Sequence, residues 1–273
     1  MHLGYHSVIR NNMKDISVIK IGGSTFSSRD TTIEDIVSLQ KKKKPLVVVH
    51  GGGSTVTDWL KRQGIVTKFV RGERVTDLPS LAVVTAVLAG LVNKEITAAI
   101  NIRGGRAVGI SGVDGSLIES SIKDKEMGYV GLVEKVNKGI LETLLKAGFV
   151  PVVSPISLYS LDRPDGAPGI MNVNGDPIAG EIAAALGAKR LIFLTDVEGI
   201  KDKFGKVLPR VSKIEAEAMI ASGVIAGGMI PKVNACLKAL NAGTIARIID
   251  GRKPHALLKE VENGDGGTMI VKE

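Results

Sequence analysis

Two apolar strands run straight into consecutive glycines, Val18-Ile19-Lys20-Ile21-Gly22-Gly23 and Leu46-Val47-Val48-Val49-His50-Gly51-Gly52-Gly53. A strand that ends this way leaves backbone N–H groups uncovered by side chains, and a following helix adds the positive end of its dipole at the same place. Two such loops can hold one phosphoryl group from two sides, which points to a phosphate-handling enzyme.

The composition agrees with strands of this kind. Of 273 residues 44% are hydrophobic but only 3% aromatic, so burial rests on Val, Ile, Leu and Ala, as in parallel strands covered by helices. The length suits one large α/β domain or two smaller ones. Cys236 is the single cysteine and cannot form an internal bridge, which predicts a reduced, cytoplasmic setting. Its Ala/Leu-rich surroundings mark it as a buried, inert thiol. Residues 1–15 hold charged and polar residues throughout, and no apolar run approaches the ~18 residues needed to span a bilayer. The net charge of +8 is spread along the chain, with one dense run at Lys41-Lys42-Lys43-Lys44 that reads as a solvated helix end or turn. With so few aromatic stacking platforms, a nucleic-acid partner is not expected. The basic balance instead favours anionic ligands such as nucleoside triphosphates and carboxylates.

Strands and helices alternate along the whole chain. A strand at 16–21, a helix at 31–40 and a strand at 46–49 form a βαβ unit; the next helix starts near Ser54 or Thr55, either of which can cap it, and ends at Gly64. A basic segment, 68–77, precedes a long helix through residue 100 that is apolar around much of its circumference, which predicts burial on more than one side or a subunit interface. Further strands are predicted at 107–110, within 116–138, and at 150–153, with a helix at 139–147. Ser160 to Gly169 is the clearest loop and the expected boundary between two lobes. Beyond it, helices at 178–186, 213–222 and 232–241 alternate with strands at 191–194 and 246–249, and residues 266–271 close the chain. The pattern predicts one α/β architecture.

Several chemistries are excluded. There is no Gly-x-x-x-x-Gly-Lys-Ser/Thr loop, no Gly-x-Gly-x-x-Gly after a strand and no Gly-x-Ser-x-Gly elbow, and His2, His6, His50 and His255 lack metal-ligand spacing. What remains is lysine beside glycine: Lys20 before Gly22-Gly23, and Lys232 after Gly227-Gly228. A cation beside aligned backbone donors is what a phosphoryl-transfer transition state requires, because its charge spreads over the equatorial oxygens.

Taken in order, Lys20-x-Gly22-Gly23, His50-Gly51-Gly52-Gly53, Arg74-Val75-Thr76, Gly90-Leu91-Val92-Asn93-Lys94, Ser111-Gly112-Val113-Asp114-Gly115, Asn172-Val173-Asn174-Gly175-Asp176, Thr195-Asp196-Val197-x-Gly199 and Gly228-Met229-Ile230-Pro231-Lys232 resemble the amino acid kinase family, and within it the N-acetylglutamate kinases. The resemblance implies a three-layer α/β/α sandwich with a largely parallel sheet. It also implies transfer of phosphate from ATP with Mg2+ to the γ-carboxylate of N-acetyl-L-glutamate. By the same resemblance Lys20 and Lys232 stabilise the transferring phosphoryl group and Asp176 holds both lysines. Gly52, Gly53, Arg74 and Asn172 bind the amino acid, with Arg74 on its α-carboxylate, where a guanidinium fork suits bidentate geometry. Gly22, Gly23, Asp196, Val197, Gly199, Ile200, Gly228 and Met229 fall on the ATP side. Magnesium is expected to arrive with ATP, and no residue is expected as a metal ligand.

The implied division is a tail at 1–15, an amino-acid-binding and dimerising lobe at 16–160, and an ATP lobe at 161–273. Gly175 stands where alanine is usual, an exchange expected to alter backbone freedom more than chemistry, and the closing Gly264-Asp265-Gly266-Gly267-Thr268 is a variant of a Gly-x-Gly-Thr ending. Arginine-inhibited relatives carry an N-terminal helix that joins dimers into hexamers. Here 15 residues precede the first strand, and Leu3, Tyr5, Val8 and Ile9 allow at most two apolar turns, so an arginine-insensitive homodimer is expected. The alternatives are a kinase for glutamate or aminoadipate bound to an acidic carrier protein, to which Gly53 and the Asp196-Val197 and Met229-Ile230-Pro231-Lys232 strings are less suited, and a non-catalytic amino-acid sensor, which would have lost Lys20 or Lys232.

Overall fold

The computed structural model describes residues 15–22, 31–70, 72–264 and 266–273, so Gly23 and the apolar positions Leu3, Tyr5, Val8 and Ile9 lie outside the described residues. The chain begins with β1 (Ser17–Ile21), α1 (Thr32–Lys41), β2 (Leu46–His50) and α2 (Gly53–Arg62), then a short hairpin of β3 (Phe69–Val70) and β4 (Glu73–Arg74), and the long helix α3 (Leu78–Ile102). There follow β5 (Ala107–Ser111), β6 (Ile118–Ile122), β7 (Gly131–Val136), α4 (Gly139–Lys146), β8 (Val150–Ser154), β9 (Ile156–Tyr159) and β10 (Ile170–Asn172). The remainder is α5 (Gly175–Leu186), β11 (Arg190–Thr195), β12 (Arg210–Ser212), α6 (Lys213–Ala221), α7 (Met229–Asn241), β13 (Ile245–Asp250), α8 (Ala256–Asn263) and β14 (Thr268–Val271).

The main sheet has the order β12-β14-β13-β11-β1-β2-β8-β5 and is parallel at every pairing except β13 with β14. Its centre is apolar on both faces, and the two-residue period of a strand sorts the side chains. Val18, Val47 and Val49 join a cluster with Ile178 and Ile182 of α5 and Val233 and Cys236 of α7. Ile19, Ile21, Leu46 and Val48 join the opposite cluster with Ile36 and Leu39 of α1 and Val84, Leu88 and Ile96 of α3. Helices therefore cover both faces, giving the α/β/α sandwich. Cys236 is buried, and desolvation pushes its thiol up, away from the reactive thiolate. Lys41, Lys42, Lys43 and Lys44 are exposed at the end of α1.

Four features depart from the sequence pattern. Helix α2 starts at Gly53 with Gly52 as its N-cap and no side-chain cap, so neither Ser54 nor Thr55 caps it. Gly52 has φ 149°, and a Cβ there would stand 2.7 Å from Leu88 Cδ2, so a capping side chain has no room. In α3, residues Ala86–Val92 form a wider π-helical turn. By length and mean hydropathy (1.6) α3 is the one described helix that could cross a membrane; in the fold it buries Val83, Val84, Val87, Leu88, Ile96 and Ile100 in the core instead. Strands β3, β4, β9 and β10 and helix α8 fall outside the predicted elements; the strands are two to four residues long and α8 is eight. The loop from Ser160 to Gly169 connects β9 to β10, antiparallel neighbours in a second sheet of order β10-β9-β6-β7, and the chain leaves that sheet only after Asn172.

Helices α5 and α7 meet at backbone distance. A Cβ on Gly180 would lie 2.8 Å from Ala235 O and 2.9 Å from its Cα. In an open helix, Gly→Ala stabilises by roughly 1 kcal/mol. Gly180→Ala should instead destabilise by about 1–3 kcal/mol, the scale of overpacking, read as a lower urea midpoint with an unchanged m-value. A stabilised variant would show that the two helices have slack.

Candidate active site

Lys20 sits in β1 on the same face as Val18, the face covered by α5 and α7, and is 7% exposed. An ammonium in that position needs a partner. It finds Asp176, in the first turn of α5, with Lys20 Nζ 2.6 Å from Asp176 Oδ1. The other carboxylate oxygen, Oδ2, lies 3.0 Å from Lys232 Nζ at the start of α7, and Lys232 also donates to Gly228 O at 3.0 Å. Asn174 caps α5 by accepting from Asp176 N at 3.0 Å, which fixes the turn that carries the carboxylate. Burial by itself would raise the Asp176 carboxyl, but Lys20 and Lys232 overcome it and hold the group below the ordinary carboxylate range. Two ammonium groups on one carboxylate leave an uncompensated positive charge at this point.

That charge faces a cleft of about 300 Å³ lined by Lys20, Gly52, Gly53, Arg74, Asn172, Asp176, Gly228 and Lys232. Arg74 enters it from β4. Its Nη2 donates to Gly53 O at 3.0 Å and to Thr57 Oγ1 at 2.8 Å, and its guanidinium lies 4.8 Å from the centre of the Phe69 ring. Nη1 is buried and has no hydrogen-bond partner among the described residues. A guanidinium with one edge held and one donor unmet is prepared for a carboxylate. Asn172 donates from Nδ2 to Thr76 Oγ1 at 3.0 Å, and Thr76 donates to Arg74 O at 3.1 Å, so the two residues that flank the cleft are tied together.

Thr57 and Thr76 are parts of this site that the sequence pattern did not single out for a role. Thr57 lies one helical turn after Gly53 and donates to its carbonyl at 2.9 Å, a spacing that could have marked it. The two glycine loops are joined by Gly51 N, which donates to Ile21 O at 2.9 Å just before Gly22. Gly175 has a packing role rather than one in backbone freedom: a Cβ there would stand 3.1 Å from His50 O and 3.6 Å from Lys20 Cε.

Six of the described expected residues, Gly22 among them, do not line the cleft. Asp196 and Val197 are exposed just beyond the C-terminal end of β11. Gly199 and Ile200 are buried, with Ile200 N donating to Thr268 Oγ1 at 2.8 Å, and Met229 packs against the core. Gly22 follows β1 directly, and Gly23 lies outside the described residues. Among the described residues no group of three or more His, Cys, Asp or Glu is placed to hold a metal ion.

Residues 15–250 match the model of the amino acid kinase family. An acetylglutamate kinase of Dehalococcoides mccartyi is 51% identical over 256 residues, covering 94% of this chain and 94% of that protein. One from a Nostoc species is 46% identical over 263 residues, covering 93% of this chain and 86% of that protein. Among solved structures, a Streptococcus mutans protein superposes with a TM-score of 0.80 at 29% identity, covering 95% of this chain and 99% of that one.

Removing the shared carboxylate should be costly. Asp176→Ala is expected to destabilise the fold at neutral pH by about 3 kcal/mol, the lower end for leaving a buried partner unpaired. Because the folded carboxyl is depressed, its contribution is complete above the unfolded value of about 3.9 and is lost as pH falls through the lower folded value. Urea unfolding of both proteins from pH 7 into acid should show the gap closing only below about pH 4; a gap that closes near neutrality would contradict the assignment.

Proposed function

The chain belongs to the amino acid kinase family, and from its likeness to acetylglutamate kinases over nearly its whole length we infer that it phosphorylates the γ-carboxylate of N-acetyl-L-glutamate with ATP. The products are N-acetyl-L-glutamyl 5-phosphate and ADP, a step of arginine biosynthesis. The observation that carries the reading is the pairing of Lys20 and Lys232, from strand and helix, on one buried carboxylate facing a cleft with an unmatched guanidinium nitrogen.

The acceptor carboxylate is already ionised at neutral pH, so no base is needed to remove a proton. The difficulty is bringing that anion against a polyanionic triphosphate. Arg74 Nη1 and Asn172 hold the α-carboxylate end, fixing the γ-carboxylate oxygen in line with the γ-phosphorus. A bond forms from that oxygen to phosphorus while the bond to the β,γ-bridging oxygen breaks and ADP departs. Lys20 and Lys232 meet the charge spread over the transferring group, and Asp176 keeps both ammonium groups in place without taking a proton. Gly52 and Gly53 supply backbone approach on the acceptor side. On the nucleotide side the reading assigns Gly22, Gly23 and Gly228 to the phosphates. Asp196, Val197, Gly199, Ile200 and Met229 serve the adenosine end, away from the cleft. Mg2+ comes with the triphosphate, as is usual for an ion that binds phosphate oxygens rather than a protein cage, and neutralises phosphate charge when bound.

The amino acid is placed with the N-terminal lobe, ATP with the C-terminal lobe. We place the protein in the cytoplasm as a homodimer joined through α3, whose exposed Ala82, Ala86 and Gly90 recur one turn apart and allow close approach of a second copy.

Lys20→Ala and Lys232→Ala should each lower kcat by roughly 10²–10³, measured as acyl hydroxamate formed from free N-acetyl-L-glutamate. Near-normal kcat would remove the lysines from the mechanism. Turnover only of carrier-bound substrate would reject the free amino acid as acceptor. Arg74→Lys should chiefly raise KM for N-acetyl-L-glutamate, since it removes binding common to ground and transition states; a change confined to KM for ATP would reverse the lobe assignment.

A further inference from the structure

The Gly90-Leu91-Val92-Asn93-Lys94 segment has no part in the transfer chemistry above, yet Asn93 is completely buried. The π-helical turn just before it, closed by Asn93 N donating to Leu88 O, rotates the helix so that this polar side chain faces the sheet. Asn93 Nδ2 lies 2.8 Å from Val152 O, 3.2 Å from Ile110 O and 3.2 Å from His50 Nε2, while its Oδ1 accepts from Lys94 Nζ at 3.0 Å. Lys94 is held in turn by Gly109 O at 2.8 Å. Position 109 must be glycine for this arrangement, because a Cβ there would overlap Asn93 Oδ1 and Thr97 Oγ1.

These partners settle the orientation of the amide without any hydrogen being seen. An ammonium faces the oxygen, and the NH2 gives one N–H to Val152 O while Ile110 O and His50 Nε2, both at 3.2 Å, share the other; an amide nitrogen accepts nothing, so His50 Nε2 is the unprotonated, accepting nitrogen. The proton is therefore on Nδ1, which donates to Gly51 O at 2.7 Å. Burial pushes the imidazole down to about 4, with Lys20 and Lys94 adding to the effect against the opposing bond to Gly51, so the ring is neutral when the enzyme works. In a trans peptide the N–H of the next residue points opposite to the carbonyl. With the Gly51 carbonyl drawn towards His50, Gly52 N–H is turned the other way, and among the described residues it meets no acceptor.

We propose that Asn93 and His50 are positioning residues for phosphoryl transfer: Asn93 fixes the Nδ1–H tautomer of His50, and His50 holds the Gly51–Gly52 peptide with its N–H aimed into the cleft. The proposal rests on the kinase reading of that cleft, and His50 and Asn93 touch neither substrate. It separates from a purely structural role by which nitrogen matters. An asparagine at position 50 can place its NH2 near the Nδ1 site, whereas a glutamine reaches the Nε2 site and cannot bond Gly51 O.

Three measurements test it. In wild-type protein, long-range 1H–15N correlation spectra at pH 7 should show His50 neutral and protonated on Nδ1; an Nε2–H tautomer overturns the proposal whatever the kinetics. His50→Asn should keep kcat within about threefold of wild type, while His50→Gln should lower it by on the order of 10²-fold, the cost of a misplaced donor, with KM for N-acetyl-L-glutamate within about threefold because Arg74 and Asn172 are untouched. Equal losses in the two variants, or losses in KM alone, overturn it. If wild-type protein shows the predicted tautomer but no turnover of N-acetyl-L-glutamate, the functional reading fails and the tautomer assignment stands; if either variant does not fold, the wild-type spectrum decides.

Discussion

A single carboxylate joins the layers of this protein. Asp176 accepts Lys20 from the central strand on one oxygen and Lys232 from α7 on the other, and it is itself set at the start of α5. Such a junction tolerates little displacement, since an ammonium left without its partner at 7% exposure is far more costly than one left at the surface. The glycines nearby follow from that requirement. Gly175 lets the start of α5 approach the end of β2, and Gly180 lets α5 and α7 touch backbone to backbone one turn further on, so that both helices deliver their charged residues to the same point.

The electrostatic design follows from the same junction. Two cations on one anion give a local excess of positive charge, preformed before any ligand arrives, and preformed charge costs no reorganisation during transfer. Arg74 is likewise preformed: its Nη2 is fixed by Gly53 O and Thr57 Oγ1, and its Nη1 is left unmatched among the described residues. The imidazole beside these charges is kept neutral. Burial, with Lys20 and Lys94 nearby, keeps the His50 ring from taking a second proton.

How far the site could be read from the sequence depended on the range of the contacts involved. Strands ending in glycine, and lysines beside those glycines, are local patterns, and the two lysines they single out, Lys20 and Lys232, both line the cleft. The capping of α2 was misjudged because Ser54 and Thr55 have suitable side chains, whereas the deciding contact is with Leu88, remote in sequence. Thr57, Thr76 and Asn93 are ordinary polar residues in helix or loop, and their place in the hydrogen-bond network becomes visible only once Arg74, Asn172 and His50 are brought to them. The positions at 196–200 could be named from the family resemblance, but no local pattern indicates that they lie outside the cleft around Lys20.

The order of strands and helices, the scarcity of aromatic residues and the glycine loops were sufficient to specify a largely parallel α/β sandwich with glycine loops at the ends of its first two strands. Each of these is a property of neighbouring residues, governed by backbone geometry and a two- or three-to-four-residue period. Which carboxylate the lysines share, which edge of Arg74 is free and which nitrogen of His50 carries the proton were fixed by packing. Those choices depend on pairs such as Lys232 with Asp176, 56 positions apart, and Asn93 with His50, 43 apart, whose energies exist only when burial removes the water that would otherwise satisfy them.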